Sequence, residues 1–142
     1  MKKFLVILVF FLGFNSCIDT PYNPNTPDVY INFKIYPNST MEYKLNTVSG
    51  WRYATAPWPS RGIIIYRYSL DEFKAYERQS PNDPDYCGES SRLIVEFPFV
   101  VDTCLDVKYS ILDGSIFTQG YTGYPLIEYR TQYDGHTLRV FN

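Results

Sequence analysis

Apolar and polar residues alternate with a period of two along much of this chain. Val29, Ile31, Phe33 and Ile35 fall on one face of the stretch 29–36. Tyr30, Asn32, Lys34 and Tyr36 fall on the other, and this pattern predicts a strand. Pro37-Asn38-Ser39 breaks it, and a weaker strand is expected over Glu42 to Val48. Trp51 to Thr55 follows the Ser49-Gly50 turn. Gly62-Ile-Ile-Ile-Tyr-Arg-Tyr68 is a continuous apolar run that predicts a strand buried on both faces. Glu72 to Arg78 alternates again, with Phe73, Ala75 and Glu77 opposed to Lys74, Tyr76 and Arg78, so the two runs read as a hairpin. Gln79 to Ser91 is polar and turn-rich. Short strands are expected at Arg92 to Glu96, Phe99 to Thr103 and Val107 to Leu112, then at Leu126 to Tyr133 and Thr137 to Phe141. Asp113-Gly114 and Asp134-Gly135 are hairpin-turn dipeptides. No segment after the first sixteen residues has an apolar helical period, so the expected domain is all-β.

The N-terminus has a different pattern. Lys2 and Lys3 precede an almost unbroken apolar run from Phe4 to Phe14. That run is shorter than the roughly 20 apolar residues that span a bilayer, and it reads as a secretory signal over residues 1–16. Its ending, Phe14-Asn15-Ser16-Cys17, resembles the lipobox of bacterial lipoproteins, in the loose form of the Bacteroidetes type. The resemblance implies cleavage before Cys17 and acylation of its thiol. The other reading is an ordinary signal followed by a chance cysteine. Residues 18–28 contain Pro21, Pro24 and Pro27, which exclude a helix, so 17–28 is expected to be a lipidated cysteine and an extended tether to a β domain at 29–142. Ile18-Asp19 places no Asp directly after the cysteine, which favours the outer membrane; the face is left open.

Composition narrows the class. Fourteen tyrosines suit strands, and ten prolines and eight glycines suit turns. Without Lys2 and Lys3, eleven basic residues face fifteen acidic ones, a net charge of −4. No Lys/Arg cluster is visible along the chain, which argues against nucleic acid as a partner.

The order of these elements resembles the Rieske [2Fe–2S] fold in its small lipoprotein form. The carrying residues are Gly62-Ile-Ile-Ile-Tyr-Arg67 and Asp71 to Arg78, then Ser80-Pro-Asn-Asp-Pro84, then Asp102-Thr-Cys-Leu-Asp-Val-Lys-Tyr109 and Ser110-Ile-Leu-Asp-Gly114. Pro125-Leu126, Tyr129, Gly135 and Leu138-Arg-Val140 are similar to the closing hairpin. The resemblance covers about residues 50–141 and implies a sandwich of short antiparallel strands. It also implies cluster ligands at four positions, which here hold Ser80, Asn82, Asp102 and Leu105. A Rieske centre needs two Cys and two His. The chain has a single His, His136, in an expected turn, so no cofactor is expected. In respiratory members of the family a disulfide clamps the two cluster loops, and Cys104 stands at its second-loop position. The resemblance therefore implies a Cys87–Cys104 bond. The alternative is two unrelated thiols.

Other candidates have bland readings beside them. His136 without a paired nucleophile or metal motif reads as a solvated turn residue. Asp83, Asp85, Asp102 and Asp106 are candidate cation ligands on facing loops, or simply solvated loop carboxylates. Trp51, Tyr53, Trp58, Tyr66 and Tyr68 include a possible aromatic platform for a glycan or protein, with Trp58 the most exposed candidate and half of any strand's aromatics in the core. No catalytic residue is assigned. The expected function is a non-enzymatic, cluster-free envelope lipoprotein acting as an interaction or structural module. A redox protein and a glycan-binding accessory lipoprotein are the alternatives, and the membrane is a partner through the lipid.

Overall fold

The computed structural model describes residues 22–142; the predicted signal 1–16 and Cys17 lie outside the described residues. The first alternating stretch yields β1 (Asn32–Ile35), with Asn32 and Lys34 exposed and Phe33 and Ile35 turned inward. β2 (Trp51–Ala54), β3 (Ile63–Arg67) and β4 (Phe73–Glu77) form an antiparallel meander. β5 (Ile94–Glu96), β6 (Phe99–Asp102) and β7 (Val107–Ser110) form a second one. β8 (Glu128–Tyr133) and β9 (Leu138–Phe141) close the chain as a hairpin around Asp134-Gly135. The larger sheet has the order β1-β9-β8-β4-β3-β2 and the smaller the order β5-β6-β7. The result is an all-β sandwich of short antiparallel strands.

Alternation decides which core each side chain joins. Ile63 and Ile65 of β3 enter a cluster inside the curl of the larger sheet, with Ile31, Leu45, Phe73, Ala75, Leu138 and Val140. Ile64 and Tyr66 point the other way, to a second cluster with Tyr76, Leu93, Val100, Tyr109 and Ile111 that fastens the smaller sheet on. The central strand is thus covered on both faces, as its unbroken apolar run predicts. Arg67 ends that strand buried, and its guanidinium donates to Asn38 Oδ1 and to the carbonyls of Leu45 and Leu70.

Three local readings change. Glu42 to Val48 is not a strand: Thr40–Leu45 forms a 3-10 helix kinked at Glu42. The segment lies beside β2, the edge strand of the larger sheet, without pairing to it. Instead Leu45 buries completely, Glu42 pairs with Arg52 of β2, and the Leu45 carbonyl accepts from Arg67 at 2.9 Å. Tertiary anchors outweigh strand propensity there. Asp113-Gly114 reverses the chain but joins no strand pair, since β7 ends at Ser110 and only Tyr109 bridges to Ile116. The described part of the expected tether is docked. Asn23 and Asn25 donate to the Pro81 carbonyl at 3.0 and 2.9 Å, and Gln79 Nε2 donates to the Asn25 carbonyl at 2.8 Å.

Candidate functional site

β4 opens into a long polar loop, 78–93, whose base is closed when the Leu93 N–H donates to the Arg78 carbonyl at 2.7 Å. The turn between β6 and β7 forms a second loop. Cys87 and Cys104 are disulfide-bonded across them, with Cα atoms 5.8 Å apart. This is the pairing the family resemblance implies. The bond spans 17 residues, and chain entropy alone gives such a loop about 3 kcal/mol of stabilisation. Cys104→Ala, with Cys87→Ala beside it to avoid a stray thiol, is expected to lower the unfolding free energy by that amount in urea titrations. A loss below about 1 kcal/mol would show that the loops hold together without the bond.

The four positions at which the resemblance implies cluster ligands each serve the local fold. Ser80 is buried, and its Oγ accepts long hydrogen bonds from the N–H groups of Asn82 and Asp83, both 3.4 Å. Asn82 ties distant segments. Its Nδ2 donates to Tyr109 Oη at 2.8 Å and to the Tyr124 carbonyl at 3.2 Å, while its Oδ1 accepts from the Tyr124 N–H at 2.7 Å. Gly123 makes this approach possible, because a Cβ there would lie 2.2 Å from Asn82 Oδ1. Asp102 Oδ1 accepts from the N–H groups of Cys104 and Leu105 at 3.0 and 3.2 Å and so shapes the second loop. Leu105 packs against the second core cluster. Hydrogen bonds link Ser80 to Asn82 and Asp102 to Leu105 within their own loops; among the described residues none crosses between the two pairs. A [2Fe–2S] centre of the Rieske kind takes two thiolates and two imidazoles, and these four side chains supply neither. They do not fit the cluster.

Cys87, Asp102 and Cys104 are the one group of three potential metal-binding side chains that converges among the described residues, with donor atoms within 4.8 Å. Both sulfurs are spent in the disulfide. Asp102 Oδ2 is buried there without a hydrogen-bond partner. Asp83, Asp85 and Asp106 are exposed and, among the described residues, do not converge with Asp102 in a carboxylate cluster. Burial pushes the Tyr109 hydroxyl well above the usual phenol range, and the Asp102 charge adds to this, while the hydrogen bond from Asn82 acts in the opposite direction.

His136 sits exposed in the β8–β9 turn, its ring 5.5 Å from that of Tyr36, and its backbone N–H donates to Asp134 Oδ1. Among the aromatic candidates, Trp58 is 81% exposed and Tyr68 44%, but Tyr66 is 2% exposed and belongs to the core, not to a platform. Trp51 and Tyr53 are half-buried, with ring centroids 5.2 Å apart and planes tilted by 59°. The Asn25, Gly123 and Tyr124 contacts to the first loop have no local signature in the sequence, because each joins segments far apart in the chain. Compared with known protein families, curated proteins and solved structures, the chain matches none.

Proposed function

We propose that the chain is a cell-envelope lipoprotein whose β domain is a cluster-free relative of the Rieske scaffold, working as a non-enzymatic interaction or structural module. The observation that carries this reading is the employment of Ser80, Asn82, Asp102 and Leu105 as loop-shaping and packing residues. Around them the two loops stay clamped by Cys87–Cys104. The scaffold's loops are thus held by hydrogen bonds and a disulfide where a cluster would otherwise hold them. The Phe14-Asn15-Ser16-Cys17 sequence supports lipid attachment at Cys17, and Ile18 after it supports the outer membrane.

The test is purification from membranes in detergent, followed by intact mass and by iron and acid-labile sulfide analysis. The expected result is a chain that begins at an acylated Cys17 and carries no stoichiometric iron or sulfide. Stoichiometric iron and sulfide would overturn the cluster-free reading. A chain that keeps residues 1–16, or begins at an unmodified residue, would overturn the lipoprotein reading.

A further inference from the structure

No basic cluster is visible along the chain, yet the fold assembles one. Arg61 precedes β3, Arg78 follows β4, and Arg92 stands at the far end of the first loop. All three line a hollow of about 240 Å³ together with Tyr53, Thr55 and Ser60. The surrounding protein is net acidic, so three converging arginines are not a reflection of composition.

Each guanidinium is held by neutral groups. Arg61 donates to the carbonyls of Ser91 and Pro84 at 3.1 and 3.0 Å. Arg78 Nε donates to the Leu93 carbonyl at 3.1 Å, and its guanidinium carbon lies 3.7 Å from the centre of the Tyr53 ring. Tyr53 is itself fixed, since its hydroxyl accepts from the Val95 N–H at 2.9 Å. Gly62, between Arg61 and β3, has φ +104°, a backbone conformation that glycine supplies without strain. Arg92 Nη1 donates to the Ser90 carbonyl at 2.6 Å. Among the described residues no carboxylate lies within ion-pairing distance of any of the three. Glu77 is the nearest buried acid, but its two oxygens already accept from Ser60, Arg61 N–H, Gln79 N–H and Tyr129. Asp85 and Glu89 act on Arg61 only from a distance.

Several donors are left over. Arg78 keeps both terminal nitrogens, Arg92 its Nε and Nη2, and Arg61 its Nε, all without a protein partner among the described residues. Desolvation lowers the pKa of Arg61 and of Arg78 and the Arg92 charge lowers both further, while the buried Glu77 carboxylate acts on both in the opposite direction. An anion entering the hollow would relieve that repulsion, and it would find guanidiniums whose conformations the fold has already restricted.

We propose that the hollow between Arg61, Arg78 and Arg92 binds a compact oxyanion, a phosphate, sulfate or carboxylate group. The inference stands apart from the cluster-free reading and would hold if that reading failed. The oxyanion can come as a free ion or on a sugar. Trp58 bears on the source, because it is an exposed aromatic side chain in the short loop that joins the lining residues Ala56 and Ser60.

The test is calorimetric titration of the purified full-length chain, at constant chloride concentration, with inorganic phosphate, inorganic sulfate, glucose 6-phosphate and glucose. Saturable binding of phosphate or sulfate is expected, with glucose alone inert. Arg92→Gln, at an exposed position, weakens binding by about tenfold, the effect of losing one charge-assisted hydrogen bond. Arg139→Gln, on β9 outside the hollow, leaves it unchanged. Tighter binding of glucose 6-phosphate than of phosphate identifies a sugar-borne group, and equal binding identifies the free ion. The proposal is overturned if the wild-type chain shows no saturable binding, or if Arg92→Gln and Arg139→Gln weaken it equally.

Discussion

Glu77→Ala is expected to destabilise the protein by about 4 kcal/mol, because it leaves several donors facing an apolar void. The Glu77 side chain is fully buried at the end of β4. Its Oε2 accepts from Ser60 Oγ at 2.6 Å and from Tyr129 Oη at 2.7 Å. Its Oε1 accepts from the N–H groups of Arg61 and Gln79 at 2.8 and 2.9 Å. One carboxylate thereby joins the segment before β3, the end of β4 and the start of β8. Alanine removes every acceptor and adds a cavity. Glu77→Gln should cost about half as much. Its amide keeps an oxygen for the two backbone donors, and the hydroxyls of Ser60 and Tyr129 can turn to accept from its nitrogen. Urea unfolding of the two variants separates these outcomes. Equal losses would assign the stabilisation to the negative charge, and a Glu77→Ala loss below about 1 kcal/mol would remove the residue from the list of anchors.

The second large effect is alkaline. Tyr76, Tyr109 and Tyr129 are buried, and burial is the leading cause that pushes each hydroxyl above its ordinary value. The charges of Glu128 and Asp113 add to this at Tyr76, and that of Glu77 at Tyr129. An unfolded tyrosine releases its proton near pH 10, whereas these three keep theirs in the folded state. Above about pH 10 the folded chain therefore binds more protons than the unfolded one, and stability falls as pH rises. Below that pH the three contribute no slope. Each group withdraws about 1.4 kcal/mol per pH unit, so together they withdraw about 4 kcal/mol per unit, enough to unfold an ordinary domain within a few units. Urea titrations at successive pH values above 9 check the slope. Tyr76→Phe should flatten it by about a third. The variant should not destabilise the protein at neutral pH, because the Tyr76 hydroxyl is buried with no partner. A flat profile through pH 11 would rule the effect out.

How much of this was legible before the fold was known depends on range. The strand at 63–67 was plain from its apolar run, and so were the alternating strands on either side of it, because pleating makes side-chain direction a local property. Gly135 in the last hairpin turn was plain because an Asp-Gly pair suits the positive φ such a turn needs, and Gly135 has φ +92°. Glu42 to Val48 reads as a weak strand, whereas Thr40–Leu45 folds as a 3-10 helix. What it adopts depends on Arg52, Arg67 and a core slot for Leu45, none of which is near it in sequence. The candidate site divides in the same way. The Cys87–Cys104 pairing followed from a family resemblance, and periodicity alone left it open.

The sequence by itself determined most of the strand-forming segments, which faces they bury, and the all-β class. These are properties of residue type and of neighbours one or two positions away. Only the tertiary structure decided that Glu77 is an anchor, that residues 22–28 dock onto the first loop, and that Arg61, Arg78 and Arg92 share one hollow. Each of those outcomes needs partners that sheet pairing brings together from distant parts of the chain. A residue's type states which hydrogen bonds or charges it can offer, and the arrangement of the strands decides what receives them.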